Sequence, residues 1–279
     1  MVELPFRPIS SRENPTYKKI RALREPRKAH QAGLILVEGF RQVEEAVAAG
    51  ITPQWLLLSP TAFRHERWPA LAVQLAEKLQ KTSFECLNLD DRLFADLVAT
   101  TTPQGIALVA ESPLKASNWS TEQGAEPDGL YLVLESIQDP GNLGTMIRTA
   151  DAFAFTAVIL VGATADPYGD KALRAAMGST FHVRLLQFPA IEPAAAWLRA
   201  AGVQLIAADL SGEELTTQTI LSRPAAMLIG NEGNGLSPQA IQLVDRRLKI
   251  MMPGRAESLN AAAAAAIFCH QFALAARKK

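Results

Sequence analysis

The sequence predicts an α/β protein in two parts, a small α/β domain followed by a larger domain on a parallel sheet. Three observations predict it. Short apolar runs alternate with stretches of helical period along most of the chain. In the second half these runs are continuously apolar, the pattern of strands covered on both faces of a parallel sheet. Between the halves, residues 112–128 are polar and aperiodic, which reads as a linker. The expected domains are therefore 1–111 and 129–279.

In the first domain, strands are expected at 33–38, 54–59, 84–87 and 105–111, with helices at 40–49, 68–79 and 90–98. In the second, strands are expected at 130–135, 157–161, 183–188, 203–207, 225–230 and 248–252. Helices are expected at 143–153, 171–177, 193–201 and 238–244. Six consecutive alanines at 261–266 then open a last apolar helix, for which Ser258 is placed as N-cap and Asn260 in the first turn. A helix with so little side-chain volume lets other backbone come close.

The 279 residues are 48% hydrophobic and 20% charged, the composition of a globular protein. No apolar run reaches the ~18 residues of a membrane span. The N-terminus lacks an apolar signal core, so a cytoplasmic location is expected. Cys86 and Cys269 lie far apart in apolar surroundings and read as reduced core residues. The four histidines are scattered, and no metal site is expected. Net charge is zero, yet residues 1–28 hold eight basic and three acidic side chains, a local excess of +5. Lys18, Lys19, Arg21 and Arg24 lie in that arm. Such an arm suits phosphate contacts; the competing reading is a solvated helix face.

Ligands of parallel α/β sheets bind outside the carboxyl ends of the strands, and three strand-end loops have the composition for it. The first runs from Glu135 through Asp139-Pro-Gly-Asn142 to Arg148. Those last two residues share a site if Asn142 is in the loop and Arg148 on the following helix. The second is Gly230-Asn-Glu232-Gly233-Asn-Gly235. The third is Lys249-Ile-Met-Met-Pro-Gly-Arg-Ala-Glu-Ser-Leu-Asn260. The glycines at 230, 233 and 235 are in the wrong order for a dinucleotide fingerprint, and no P-loop, G-x-S-x-G or H-E-x-x-H occurs.

These three stretches, in this order and spacing, resemble the three motifs of the SpoU/TrmH family of RNA ribose 2′-O-methyltransferases, in the SPOUT superfamily. The resemblance covers residues 129–279. The first domain is similar to the RNA substrate-binding domain that precedes the catalytic one in many members; Asn14-Pro-Thr-Tyr-Lys-Lys-Ile and Val37-Glu-Gly39 carry that likeness. The resemblance implies a SPOUT domain with a deep trefoil knot through which the third stretch is threaded. It implies S-adenosylmethionine as cofactor, a homodimer with active sites near the interface, and RNA as substrate. Ribosomal RNA is favoured by the type of first domain; transfer RNA, or methylation of a base, stand as alternatives. By position, Gly230, Ile250 and Leu259 would hold the cofactor through backbone groups, Gly230 by leaving room for close approach. Asn142, Arg148, Glu232, Ser258 and Asn260 would be the polar catalytic residues. The chain departs from the family pattern at Met251, commonly proline, and at Ala262, often serine.

A guanidinium stays protonated in proteins. Arg148 is therefore expected to clamp an RNA phosphate and stabilise the developing alkoxide, not to act as a base. Asn142 would orient the ribose, Glu232 brace the cofactor loop, and Ser258 and Asn260 order the third loop.

Overall fold

The structure is a computed structural model that describes residues 4–114, 124–216, 218–219 and 221–276. Its contacts divide it into two compact units. One comprises Met1–Lys115 with Tyr168–Phe181, the other Ala116–Pro167 with His182–Lys279. Most of the expected linker, residues 115–123, lies outside the described residues.

The first unit holds a five-stranded sheet. Its strands are β1 (Phe6–Ile9), β2 (Leu34–Glu38), β3 (Pro53–Leu58), β4 (Glu85–Leu89) and β5 (Ile106–Glu111), in the order β1-β4-β3-β5-β2. β1, β4 and β3 run parallel, whereas β5 is antiparallel to β3 and β2. The helices are α1 (Pro15–Ala22), α2 (Pro26–Ala32), α3 (Phe40–Ala48), α4 (Trp68–Lys81) and α5 (Asp91–Leu97), with α7 (Asp170–Ala176) joining from the later segment. The basic arm is folded into β1, α1 and α2. Asn14 Oδ1 caps α1, accepting from Thr16 N at 2.9 Å, and Pro15 fits the first helical position. Tyr17 and Ile20 of α1 are fully buried against Leu57, Leu87 and Phe94, which anchors the arm to the sheet.

The second unit is a six-stranded sheet, every pair parallel, as the apolar runs predicted. Its strands are β6 (Leu130–Glu135), β7 (Ala157–Val161), β8 (Arg184–Phe188), β9 (Gln204–Glu214), β10 (Ala225–Ile229) and β11 (Arg246–Lys249). The order is β11-β9-β10-β6-β7-β8. The chain runs outward from β6 to β8, then crosses back to β9 and inserts β10 beside β6. The strand order therefore reverses at the β6/β10 boundary, where a ligand crevice is expected. The helices are α6 (Pro140–Ala152), α8 (Ile191–Arg199), α9 (Pro238–Leu243) and α10 (Ala261–Ala276). Val133, Ile159, Leu205 and Leu228 are central to a core that α8 and α9 cover.

Of the boundaries that differ from expectation, three have a clear local reason. α6 begins at Pro140, because Asp139 accepts from Asn142 N at 2.8 Å and Pro140 is preset for the first turn. β9 continues to Glu214 beyond the apolar run. Its polar end pairs with β11 across a register shift at Arg247/Leu248, with Arg246–Glu213 and Lys249–Glu214 ion pairs at 3.1 and 3.8 Å. Gly212 permits the close pass, since a Cβ there would meet Arg247 C at 2.5 Å. β11 stops at Lys249, not residue 252: Lys249 is its last residue in register with β9, opposite Glu214, and its carbonyl accepts from Leu215 N at 2.8 Å.

Candidate active site

The first loop leaves β6 through Ser136, a non-glycine residue held in the left-handed region with φ 55°. Its carbonyl accepts from Asn231 Nδ2 at 2.9 Å, so the ends of β6 and β10 are tied together. A second tie is Glu135, a buried carboxylate that accepts from Ser237 N at 2.8 Å and Ser237 Oγ at 2.7 Å; Ser237 in turn caps α9.

The second loop closes on itself. Asn231 and Gly235 exchange backbone hydrogen bonds of 2.9 Å in both directions, and Asn231 Oδ1 accepts from Gly233 N and Asn234 N. Gly230 makes this possible. A Cβ there would lie 2.1 Å from Gly235 C and 2.2 Å from Leu236 N. The glycine expected to admit a ligand is thus required first by the loop's own backbone.

The third loop ends at α10, and its N-cap is Asn260, not Ser258. Asn260 Oδ1 accepts from Ala262 N at 2.9 Å and Ala263 N at 3.3 Å, a cap of about 1 kcal/mol. Ser258 stays exposed in the loop. Its hydroxyl lies two residues too early to reach the first free amides of a helix that starts at Ala261.

These loops bring together four of the five expected polar residues. Asn142 sits in the first turn of α6, not in the loop before it. Its Nδ2 donates to Glu232 Oε1 at 3.0 Å, and its Oδ1 accepts from Asn260 Nδ2 at 3.0 Å. One asparagine thereby links all three loops. Glu232 also accepts from Gln138 N at 3.2 Å and Asp139 N at 3.3 Å. Partial burial pushes the Glu232 carboxyl up. The donated bonds from Asn142 and from the backbone of Glu232, Gln138 and Asp139 together outweigh it and hold the group below the usual range. Arg148 is not in this network. It is exposed on the third turn of α6 and bonds to no side chain of its own chain among the described residues.

Two clefts flank the network. The larger, about 550 Å³, is lined by the second and third loops, with Ile229, Leu236, Ile250, Leu259 and Phe268 as apolar walls. Its charged residues are Asp209, Glu232, Glu257 and Lys249, a net negative lining. The smaller, about 510 Å³, is lined by Gln138, Asp139, Asn142 and Asn260. Glu232, Ser258, Leu259 and Ala261 line both. Residues Gly230, Ile250 and Leu259 thus fall on the larger cleft, and Asn142 and Asn260 on the smaller.

Lys18, Lys19, Arg21 and Arg24 are exposed on and after α1. Lys18 Nζ pairs with Glu13 at 2.5 Å. Arg21 Nε lies 3.4 Å from Asp96 Oδ2, and Arg24 Nη1 donates to Asp96 O at 2.7 Å. Two of the four therefore clasp the end of α5. Met251 is 60% exposed, while Ala262 is buried at the start of α10. Sequence reasoning missed Glu135, Ser136, Gln138 and Asn231. Their types were visible; the sheet order that makes them neighbours was not.

Among protein families, residues 129–270 match the SpoU rRNA Methylase family and residues 14–108 match an MRM3-like substrate binding domain. The chain is 32% identical over 265 residues to the 23S rRNA (guanosine(2553)-2′-O)-methyltransferase RlmP of Bacillus subtilis, covering 94% of this chain and 97% of that one. It is 30% identical over 272 residues to the 23S rRNA (uridine(2479)-2′-O)-methyltransferase of Streptomyces viridochromogenes, covering 95% and 91%. Among solved structures, the AdoMet-bound rRNA methyltransferase of Sinorhizobium meliloti superposes with a TM-score of 0.84 at 30% identity, covering 96% and 97%. The Streptomyces viridochromogenes SpoU methyltransferase AviRb in complex with AdoMet superposes with a TM-score of 0.80 at 28% identity, covering 95% and 100%.

Proposed function

Because the chain belongs to the SpoU rRNA Methylase family, we infer that it methylates a ribose 2′-hydroxyl of ribosomal RNA with S-adenosylmethionine as donor. The observation that carries this reading is the pair of clefts with one shared wall. The larger cleft suits the cofactor: its volume is that of a small-molecule site, its apolar walls suit a purine, and its negative lining suits a cationic ligand. Gly230, Ile250 and Leu259 would hold the cofactor there, largely through backbone groups. The cofactor supplies a methyl group already activated as a sulfonium.

The smaller cleft receives the ribose. Asn142 and Asn260 orient it, each already fixed by the other, so little reorganisation is left for the reaction. Glu232 braces the wall between the clefts. Ser258 and Asn260 order the third loop, which closes over both. Arg148 clamps an RNA phosphate and stabilises charge developing on the ribose oxygen, whose proton passes to phosphate or water. The first domain, 1–111, supplies RNA affinity, and 129–279 holds the chemistry.

The active form is a homodimer. Its support is an exposed stripe on α10, Ala263, Ile267, His270 and Leu274, at the i, i+4, i+7, i+11 spacing of one helix face. Ile267 and Leu274 are 37% and 40% exposed, large apolar side chains in one row. The family likeness also supports a deep trefoil knot formed by the third loop and α10. No helix among the described residues is long and apolar enough to cross a membrane; a cytoplasmic location accords with a ribosomal RNA substrate.

The test is incubation with methyl-labelled S-adenosylmethionine and total RNA, followed by nuclease digestion and chromatography of the products. A ribose-methylated nucleotide from ribosomal RNA is expected. A base-methylated nucleotide, or no labelled RNA, overturns the reading.

A further inference from the structure

Three aromatic side chains of the first unit pack together away from the site described above. Phe6 is on β1, Phe63 follows β3, and Trp68 opens α4. The ring of Phe63 stands edge-on to both others, with centroids 5.8 Å from Phe6 and 5.2 Å from Trp68. Phe6 and Phe63 are 38% and 41% exposed. Both belong in the core by residue type, and neither is there. Each aromatic also has an arginine as its chain neighbour, in Phe6-Arg7, Phe63-Arg64 and Arg67-Trp68. All three arginines are exposed; Arg67 pairs with the half-buried Glu44, Arg7 pairs with Glu85 on the face of β1 opposite Phe6, and Arg64 borders Phe63.

Exposed aromatic rings bordered by a guanidinium suit unpaired nucleotides: every base has a π face to stack, and every linkage a phosphate for an arginine. The partner with matching charge is a polyanion that also carries flat rings. We propose that Phe6, Phe63 and Trp68 form a stacking platform for unpaired bases of the RNA substrate, with Arg64 on the adjoining phosphate. This rests on the RNA reading above and adds what the first domain reads: a loop or single strand whose bases are splayed, not a continuous duplex. Phe63, flanked by both other rings, is the centre of the platform.

The full-length protein should be titrated with a single-stranded oligouridine of about 10 nucleotides and with the same backbone carrying abasic sites, at several salt concentrations. Wild type is expected to prefer oligouridine and to show a change in tryptophan emission on binding it. Phe63→Ala should weaken oligouridine binding by roughly 5- to 100-fold, lose the preference over the abasic strand, and leave the salt slope unchanged because no phosphate contact is lost. Phe63→Trp should restore both. Arg64→Ala should instead lower the salt slope on both strands. If wild type binds both strands equally, or Phe63→Ala binds oligouridine like wild type, the platform is rejected while the RNA reading stands. If wild type binds neither strand nor ribosomal RNA, both fall. A shift in oligomeric state on Phe63→Ala, with RNA binding unaltered, identifies the patch as a protein contact and rejects the platform.

Discussion

Asp96 and Glu232 are both carboxylates held below their usual range, and they get there in opposite ways. Asp96 accepts from Tyr17 Oη at 2.8 Å and has Arg12 and Arg21 at 3.4 Å, with Arg24 bonded to its carbonyl. The Tyr17 bond is the largest cause of its lowered pKa; partial burial opposes it, and the arginines add to it. Glu232 is held by amides alone. A carboxylate among arginines is neutralised, and its purpose is to fasten α1 to α5. A carboxylate fixed by amides keeps its charge. The fold stabilises that charge without neutralising it, which leaves Glu232 available to a cationic ligand and Asp96 occupied within its own domain.

The largest effect expected from breaking this contrast lies at Arg148, the catalytic candidate that the amide network leaves out. Arg148→Ala should lower turnover by about 10²- to 10³-fold, the range for loss of one preorganised electrostatic group, with cofactor affinity by calorimetry nearly unchanged. Arg148→Lys should stay low, because a point charge lacks the planar fork. Loss of cofactor binding in Arg148→Ala would overturn its assignment to the RNA.

Next in size is Gly230→Ala. The new Cβ cannot coexist with the Gly235 and Leu236 backbone at 2.1 and 2.2 Å, so the second loop must open. A destabilisation of about 1–3 kcal/mol is expected from such overpacking, with cofactor binding weakened and RNA affinity retained. Thermal unfolding and calorimetry check the first two, filter binding the third. RNA affinity falling first would contradict the placement of this loop on the cofactor side.

These two residues also show how far the sequence reaches. The parallel sheet was legible because its strands are apolar on both faces, and β6 and β10 fall within a residue of expectation. The candidate polar residues were legible as loop compositions and as a family likeness. The contacts were not. Nothing in local sequence says that Asn142 bonds to Glu232 and Asn260, 90 and 118 positions away, because that follows from inserting β10 beside β6. The N-cap of α10 was misplaced for a simpler reason: Ser258 and Asn260 are both good caps, and only the backbone decides between them. The folded state of the basic arm was missed because its helices are short and rich in lysine and arginine. What holds α1 is two buried side chains, Tyr17 and Ile20, too few for a periodic signal.

A smaller effect should separate the two carboxylates by function. Glu232→Gln keeps an acceptor for the amides but removes the charge, so cofactor affinity should fall while the fold persists. Asp96→Asn should leave cofactor affinity untouched and loosen α1. The pH dependence carries the same sign at both sites. Each carboxyl is depressed on folding, so its stabilisation is present above its unfolded pKa and is lost as pH falls through the lower folded value. Acid unfolding curves should therefore flatten in that window for Asp96→Asn and for Glu232→Gln, relative to wild type. A cofactor affinity reduced equally by both substitutions would erase the distinction drawn between the two sites.

The smallest effect concerns the arginines and lysines of the arm, where the contrast makes a graded forecast. Lys18, Arg21 and Arg24 already have partners in Glu13 and Asp96, whereas Lys19 is exposed and forms no ion pair among the described residues. A cation already paired gains less from a phosphate, because it must give up or share its partner. Lys19→Ala should therefore lower the salt slope of RNA binding by about 0.7 to 0.9, one phosphate contact, with no loss of thermal stability. Arg21→Ala should lower the slope by less and lower the melting temperature as the hold on Asp96 is lost. Filter binding at three or more salt concentrations, with thermal melts of the same proteins, measures both. If Lys19→Ala leaves the slope unmoved, α1 presents a solvated face and the RNA is gripped elsewhere on the first domain. If Arg21→Ala moves the slope as much as Lys19→Ala at unchanged stability, the Asp96 clasp opens to RNA, and Asp96 and Glu232 no longer stand for two different kinds of site.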